Sequence, residues 1–371
     1  MIYLDHAATS PLCDEARAAM EPYLTERFGN ASEPHAAGRA AREGLQAARA
    51  TIASLLGCAP AQVVFTSGGS EADNQAVFGL AGRPLGRIVV SAIEHPAVRE
   101  PARELERQGF EVAWVGVDSF GVVDLDAFDR AVRPGDRMAA VMWANNVTGV
   151  VQPVAALAAI CAERGVPLHT DAVQAAASLP VDFADSGAET MALAAHKMHG
   201  PKGVGALIAR DPSRLRPLIW GGGQEAGSRS GTENVAGVVG FAAALAAVRG
   251  RSDRRRTLRD RLEQGVGGGL TPVSAEVDRL PGHSLLLADG IRSDLLVLSL
   301  DRAGFAVAAG SACASGDSEP SHVLLAQGLT PDQARSVIRV SIGIDTTEAE
   351  VDAFAAAVGE CVERLRAGAL I

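Results

Sequence analysis

QVVFTSGGSEADNQAVFGLAGRPLGRIVVS, residues 62–91, decides the fold. A β-branched run at 62–66 meets a Ser/Gly turn, then an amphipathic stretch at 71–81, then a second β-branched run at 87–91. Strand, helix and strand in that order form a crossover unit, and such units build parallel sheets. The pattern repeats outward. EVAWV (111–115), MAAVMW (138–143), VPLHT (166–170) and VGALIA (204–209) read as further strands. Amphipathic segments at 96–108, 124–132 and 153–164 lie between them. The runs are nearly all apolar rather than alternating, as strands covered on both faces should be. The expectation is an α/β fold with a mostly parallel sheet wrapped by helices.

The pattern changes after about residue 232. An Ala-rich helix (232–249) leads to a charged one (251–265) containing RSDRRRTLRDRLEQ. A strand near 284–288, a helix at 292–303, a Gly/Ala/Ser-rich loop at 308–319, a strand at 336–342 and a last helix at 347–366 follow. This part reads as a smaller α+β domain. The large domain is expected over 13–245, and the small one over 1–12 and 246–371, with a boundary in the region 245–255.

Composition narrows the function classes. With 371 residues and 47% hydrophobic content the chain can bury a large core, which excludes wholesale disorder. Basic residues number 34 and acidic ones 44, a net charge of −10, which argues against a general nucleic-acid binder. The apolar run 239–248 (VGFAAALAAV) is too short to span a bilayer. MIYLDHAATS has neither a basic region nor an apolar core of the signal-peptide kind, so a cytoplasmic protein is expected. Five scattered cysteines (Cys13, Cys58, Cys161, Cys313, Cys361) show no zinc spacing and read as reduced thiols.

Four constellations carry chemistry. FTSGGSEADN (65–74) joins a strand to a helix. Gly68, Gly69 and Ser70 there suit a phosphate at a helix N-terminus, or form an ordinary turn with Ser70 as cap. HTDAVQ (169–174) places Asp171 at the carboxyl edge of the sheet. It can pair with a protonated ring nitrogen, or merely cap a helix. In AAHKMHGPKGVGAL (194–207), Lys197 suits a Schiff-base lysine if it is desolvated, whereas Lys202 looks like a solvated turn residue. His196 and His199 have no carboxylate or thiol at ligand spacing, so no metal is expected. In AAGSACASGDSEPSHVL (308–324), Cys313 lies among small residues, which favours a reactive thiol over a packed one; an incidental surface cysteine is the plainer alternative. Pro320 and Ser321 then start a helix.

Taken together these motifs resemble the cysteine desulfurases of the class-V aminotransferase group, pyridoxal 5'-phosphate (PLP) enzymes of fold type I. YLDHAATSP, GNAS with His35 and GRAAR, FTSGGSEADN, EHPAV, MWANN, HTDAVQ, HKMHGPKG, GGGQE, RSGTEN, GSACASG with EPSHVL, and RVSIG occur in the family's order along nearly the whole chain. The segment ending in PSHVL is similar to the long-loop branch. The resemblance implies a large domain with a seven-stranded type of sheet and a set of roles. Lys197 would hold PLP as a Schiff base, Asp171 would face its ring nitrogen, and Gln174 its phenolic oxygen. His95 would stack on the ring and assist proton transfer. Gly69, Ser70 and His196 would hold the phosphate, with Thr232 reaching in from a second subunit of a homodimer. Asn146 and Arg339 would bind the carboxylate of L-cysteine. Cys313 would accept the sulfur and pass it to an acceptor protein. Iron–sulfur cluster assembly is one destination of such sulfur. No membrane or direct nucleic-acid partner is implied.

Three positions depart from the family pattern. Val147 follows MWANN where Glu is usual, Ala194 stands where a phosphate-binding Ser is common, and Ser70 replaces Thr. Other PLP chemistries, such as a selenocysteine lyase, a cysteine lyase or an aminotransferase, would not need Cys313. A non-enzymatic scaffold would not need the Lys197, Asp171 and His95 set.

Overall fold

The computed structural model describes residues 1–249, 252–267, 269–310 and 320–368. The N-terminal part runs β1 (Ile2–Tyr3), α1 (Asp14–Thr25), α2 (Ala36–Leu55), β2 (Val63–Thr66), α3 (Gly69–Ala81), β3 (Arg87–Ser91), α4 (Pro96–Arg107) and β4 (Glu111–Val115). Then come α5 (Leu125–Ala131), β5 (Met138–Ala140), α6 (Val154–Glu163), β6 (Leu168–Asp171), α7 (Phe183–Ser186), β7 (Thr190–Ala194) and β8 (Gly205–Ala209). The C-terminal part holds α8 (Val235–Val248), α9 (Ser252–Gly265), β9 (Leu270–Pro272), β10 (His283–Ala288), α10 (Ser293–Arg302), β11 (Phe305–Ala306) and β12 (Ala308–Ala309). It ends with α11 (His322–Ala326), α12 (Pro331–Ala334), β13 (Val337–Ser341) and α13 (Glu348–Arg366).

The main sheet has seven strands in the order β2-β8-β7-β6-β5-β3-β4. Five of them, from β7 across to β4, are parallel, and β8 runs antiparallel to both β2 and β7. Six of the seven are buried between helical layers, which shields their ladders from water, whereas the edge strand β4 is more open, with Glu111 and Trp114 exposed. A second, antiparallel sheet has the order β12-β13-β10-β9. The first residues pack with this part of the chain, in a two-stranded sheet of their own. β1 pairs with β11, and Leu4 is buried in the same core as Leu262, Leu296 and Phe354. A separate apolar cluster (Ile93, Met142, Val147, Leu285, Val323, Val337) joins the carboxyl ends of β3 and β5 to the second sheet.

Differences from the sequence reading have local causes. β7 (TMALA) was not among the expected strands, because Ala, Met and Leu favour helix; full burial between β6 and β8 overrides that preference. α1 and α2 were also not expected. In α2 the buried face Ala41, Leu45, Ala48 and Ile52 repeats at helical spacing. In the run 138–143 the pairing with β3 stops at Ala140, where the Met142 N–H is taken by the Glu94 carboxyl at 2.8 Å, while Val141 N and Trp143 N still donate to His169 O and Asp171 O on the β6 side. α3 begins at Gly69, so Ser70 lies inside its first turn instead of capping it. Ala308 and Ala309, expected in a loop, pair with β13. α8 starts three residues later than the expected 232, at Val235, with the Asn234 side chain accepting from Gly237 N at 3.0 Å.

Candidate active site

A cavity of about 600 Å³ opens at the carboxyl edge of the parallel strands, where the two sheets and the N-terminal segment meet. Nine of the expected site residues line it: Gly69, Ser70, His95, Asn146, Asp171, Gln174, His196, Lys197 and Arg339. All but Arg339 sit at or after a strand end. His95 comes after β3, Asn146 after β5, Asp171 closes β6, and Lys197 ends a short 3₁₀ turn after β7.

One wall is the first turn of α3. First-turn N–H groups have no partner within a helix, and here Gly69 and Ser70 bring theirs to the cavity. A Cβ on Gly69 would lie 2.7 Å from Val173 Cγ2, so only glycine lets the helix start this close to β6. The preceding turn is braced from outside. Ser67 N donates to Glu71 at 2.7 Å, and Arg229 donates to the same carboxylate at 2.9 Å. His196 reaches this side, with Nδ1 at 3.2 Å from Thr9 Oγ1; burial pushes its basicity down to about 4, so the ring is neutral. Ala194 sits below Gly69, at 3.5 Å from such a Cβ, and offers no hydroxyl.

The floor is acidic. Asp171 Oδ1 accepts from Val173 N at 2.8 Å. Burial pushes its pKa up, while nearby His95 and Lys197 pull it back. Asp73 and Glu94 are also buried close by, and both are raised above the usual carboxylate range by burial first. Asp73 lies 3.2 Å from His169 Nε2, whose other nitrogen meets Thr190 Oγ1 at 2.9 Å. His95 Nδ1 accepts from Ala97 N at 3.1 Å, so its neutral ring carries the proton on Nε2. Burial, and then the Lys197 charge, lower its pKa. Gln174 is fixed by donating to Ala7 O at 2.9 Å.

Lys197 Nζ donates to Ala7 O at 2.6 Å and Ala8 O at 2.7 Å. Burial, followed by repulsion from Arg339, brings its pKa down to about 8 from 10.5. The segment providing these carbonyls is itself tied down. Tyr3 Oη donates to Thr9 O at 2.8 Å, and Ser10 Oγ donates to His196 O at 2.7 Å. Arg339, in the middle of β13, donates from Nη1 to Asn146 O at 2.9 Å and from Nη2 to Asp5 Oδ1 at 2.8 Å. Its buried Nε has no partner among the described residues. Val147 places its side chain in the apolar cluster between the sheets, so the position of the missing carboxylate is a packing position here.

The other two expected residues are Thr232 and Cys313. Thr232 is exposed and lines a different, smaller hollow of about 140 Å³ with Ser67 and Arg229. Cys313 lies outside the described residues; the described chain before it, Ala308 to Gly310, lines the main cavity. Three other cysteines are held as thiols: burial raises Cys13, and pushes Cys58 up to about 11 and Cys161 to about 12. Sequence reasoning gave no role to Asp5, Ala7 or Ala8, although they sit in the quoted YLDHAATSP motif; an acid beside small residues was the signal available. Glu94 was likewise passed over beside His95.

A desolvated amine, a buried carboxylate, a neutral imidazole, a helix N-terminus and an arginine thus surround one space. That donor set suits a carbonyl cofactor with a ring nitrogen and a phosphate, together with an amino acid's carboxylate. Comparison with known proteins points the same way. The family model described as aminotransferase class-V matches residues 2–354. A cysteine desulfurase of Gluconacetobacter diazotrophicus is 42% identical, over 98% of this chain and 94% of its own. A solved NifS-like protein superposes with a TM-score of 0.91 at 32% identity, covering 98% of this chain and 99% of its own. An SspA structure solved in complex with cysteine gives a TM-score of 0.84 at 30% identity, covering 94% of this chain and 100% of its own. With the family's strand-end residues gathered in one cavity and its sequence pattern matched nearly end to end, the chain belongs to the cysteine desulfurases of the class-V aminotransferase family.

Proposed function

We propose that the protein is a PLP-dependent cysteine desulfurase that moves the sulfur of L-cysteine to Cys313 and releases L-alanine. The observation that supports this best is the meeting of Lys197, Asp171, His95 and Arg339 around one cavity. The residues fit PLP: Lys197 is depressed to about 8 and so has a usable neutral amine, and Asp171 offers a buried carboxylate to a ring nitrogen. Gln174 would face the phenolic oxygen. Gly69, Ser70 and His196 would hold the phosphate. Thr232, which is exposed, would serve the partner's phosphate in a homodimer. When bound, PLP supplies an electron sink for charge developing at the amino acid's α-carbon.

The chain's own residues do the rest. Arg339 and Asn146 hold the substrate carboxylate, where a planar fork matches two oxygens. Lys197 and His95 stand at the cavity to take and return the proton at Cα. Cys313 attacks as thiolate at the substrate sulfur. The new S–S bond forms as the Cβ–S bond breaks, and Cβ takes a proton. L-cysteine and a Cys313 thiol thereby become L-alanine and a Cys313 persulfide. Gly310 lines the cavity, and Cys313 follows three residues later. A sulfur-acceptor protein then takes the persulfide sulfur.

The division into 13–245, and 1–12 with 246–371, belongs to the same reading; the core that gathers Leu4 with Leu262, Leu296 and Phe354, and the β1–β11 pairing, support it. No helix among the described residues is long and apolar enough to cross a membrane, and a cytoplasmic site of action is part of the proposal.

The test is the mass of the Cys313 peptide after the holoprotein meets L-cysteine without reductant. The expected gain is one sulfur atom. Cys313→Ser should keep the cofactor's absorbance and lose both this gain and alanine release. Continued alanine release by Cys313→Ser would contradict the assignment of Cys313.

A further inference from the structure

We infer that Asp5 is a positioning residue for Arg339: its carboxylate and the Asn146 carbonyl fix the guanidinium so that the remaining donors face an incoming substrate carboxylate. The inference rests on the function proposed above and adds a residue that the family motifs left without a role.

Arg339 is only 9% exposed, so its side chain has little room. Two corners of its planar head are pinned, Nη2 by Asp5 at 2.8 Å and Nη1 by Asn146 O at 2.9 Å. A plane pinned at two corners cannot swing about its stem. The third corner, Nε, is sealed from solvent and has no hydrogen-bond partner among the described residues. That leaves the second N–H of Nη1 and of Nη2 for a carboxylate in the cavity that Arg339 lines.

Asp5 is well anchored for this task. It lies 334 residues from Arg339 in sequence. Yet its backbone bridges Ser341, two positions along the same strand, and Ala7 N donates to Ser341 Oγ at 2.9 Å. The segment that carries Asp5 is thus registered on the strand that carries Arg339. Asp5 also lines the cavity, and its charge opposes the effect of Arg339 on Lys197.

The experiment compares Asp5→Ala and Asp5→Asn with the wild-type holoenzyme. L-cysteine and L-cysteinamide, which lacks the carboxylate, are the substrates. For Asp5→Ala the KM for L-cysteine is expected to rise about tenfold or more, the factor set by disturbing a hydrogen bond to a charged group. kcat should change by less than about threefold, as for a loss of uniform binding. The preference for L-cysteine over its amide should shrink by the same factor as KM rises. Asp5→Asn, which keeps an oxygen acceptor, should recover part of the loss. The Kd for L-alanine, read from the absorbance of the bound cofactor, should follow KM.

An unchanged or lowered KM and Kd in Asp5→Ala would overturn the inference, because Asp5 would then be a place-holder that substrate displaces. A fall in kcat with the amide preference intact would overturn it too, since that marks a general structural role. Absence of alanine from the wild-type enzyme would sink the proposed function alone, because alanine affinity still reads the Asp5 contact.

Discussion

Lys197 owes its low basicity to its place. Its neighbours on one side are backbone carbonyls, which favour the ammonium, but burial and Arg339 outweigh them and hold it at about 8. At pH 7 a group of that pKa is neutral in about a tenth of molecules, against well under a thousandth for an exposed lysine. Only the neutral amine can condense with a carbonyl. The rate of PLP attachment to the apoprotein should therefore rise with pH and level off just above pH 8. Stopped-flow absorbance measures this; a rate still climbing at about pH 10 would mean an ordinary lysine. The sequence marked Lys197 over Lys202 by its histidines and its family motif. It could not mark Asp5, because that contact spans 334 positions and only folding brings the two residues together. Val147 and Ala194 looked like losses in the sequence. In the structure the first packs between the sheets, and the second sits beneath Gly69 at the phosphate end.

At the scale of elements, the turn from β3 into α4 couples the cavity floor to the core. Glu94 Oε1 accepts from Met142 N at 2.8 Å, and its buried Oε2 has no hydrogen-bond partner among the described residues. A carboxylate there is an uncompensated charge. Burial above all, with help from Asp171, raises the pKa from 4.5 to about 8. The folded state thus prefers the protonated form. That contribution is fully present below pH 4.5 and is lost as pH rises through about 8. Glu94→Gln keeps the acceptor and removes the titration. Its Tm should match the wild type near pH 4 and exceed it by several degrees near pH 9. Thermal unfolding across that range would contradict the argument if both proteins fell in parallel. The elements themselves were legible where an apolar run was β-branched, as in β3. They were hidden where alanine dominated, as in β7 and α2, because such sequences suit a helix or a buried strand and only the neighbours decide.

At the scale of the molecule, the site exists because three remote parts meet. The parallel sheet brings Asp171, His95 and Lys197 to one edge, β13 brings Arg339, and the N-terminal segment brings Asp5, Ala7 and Ala8. The order of motifs along the chain could be read from sequence, and so could the sheet class. The joining of the two sheets through Ile93, Met142, Val147, Leu285 and Val337 could not, since no periodicity announces a contact between separate layers. The account's central claim is that this meeting cleaves the Cβ–S bond of L-cysteine and leaves the carbon skeleton as alanine. The most direct measurement is product identification after the yellow holoprotein is mixed with L-cysteine and a thiol reductant. The account predicts L-alanine in step with sulfide, one for one. Pyruvate with ammonia in its place would contradict it, because that outcome is β-elimination and gives Cys313 no part in the chemistry.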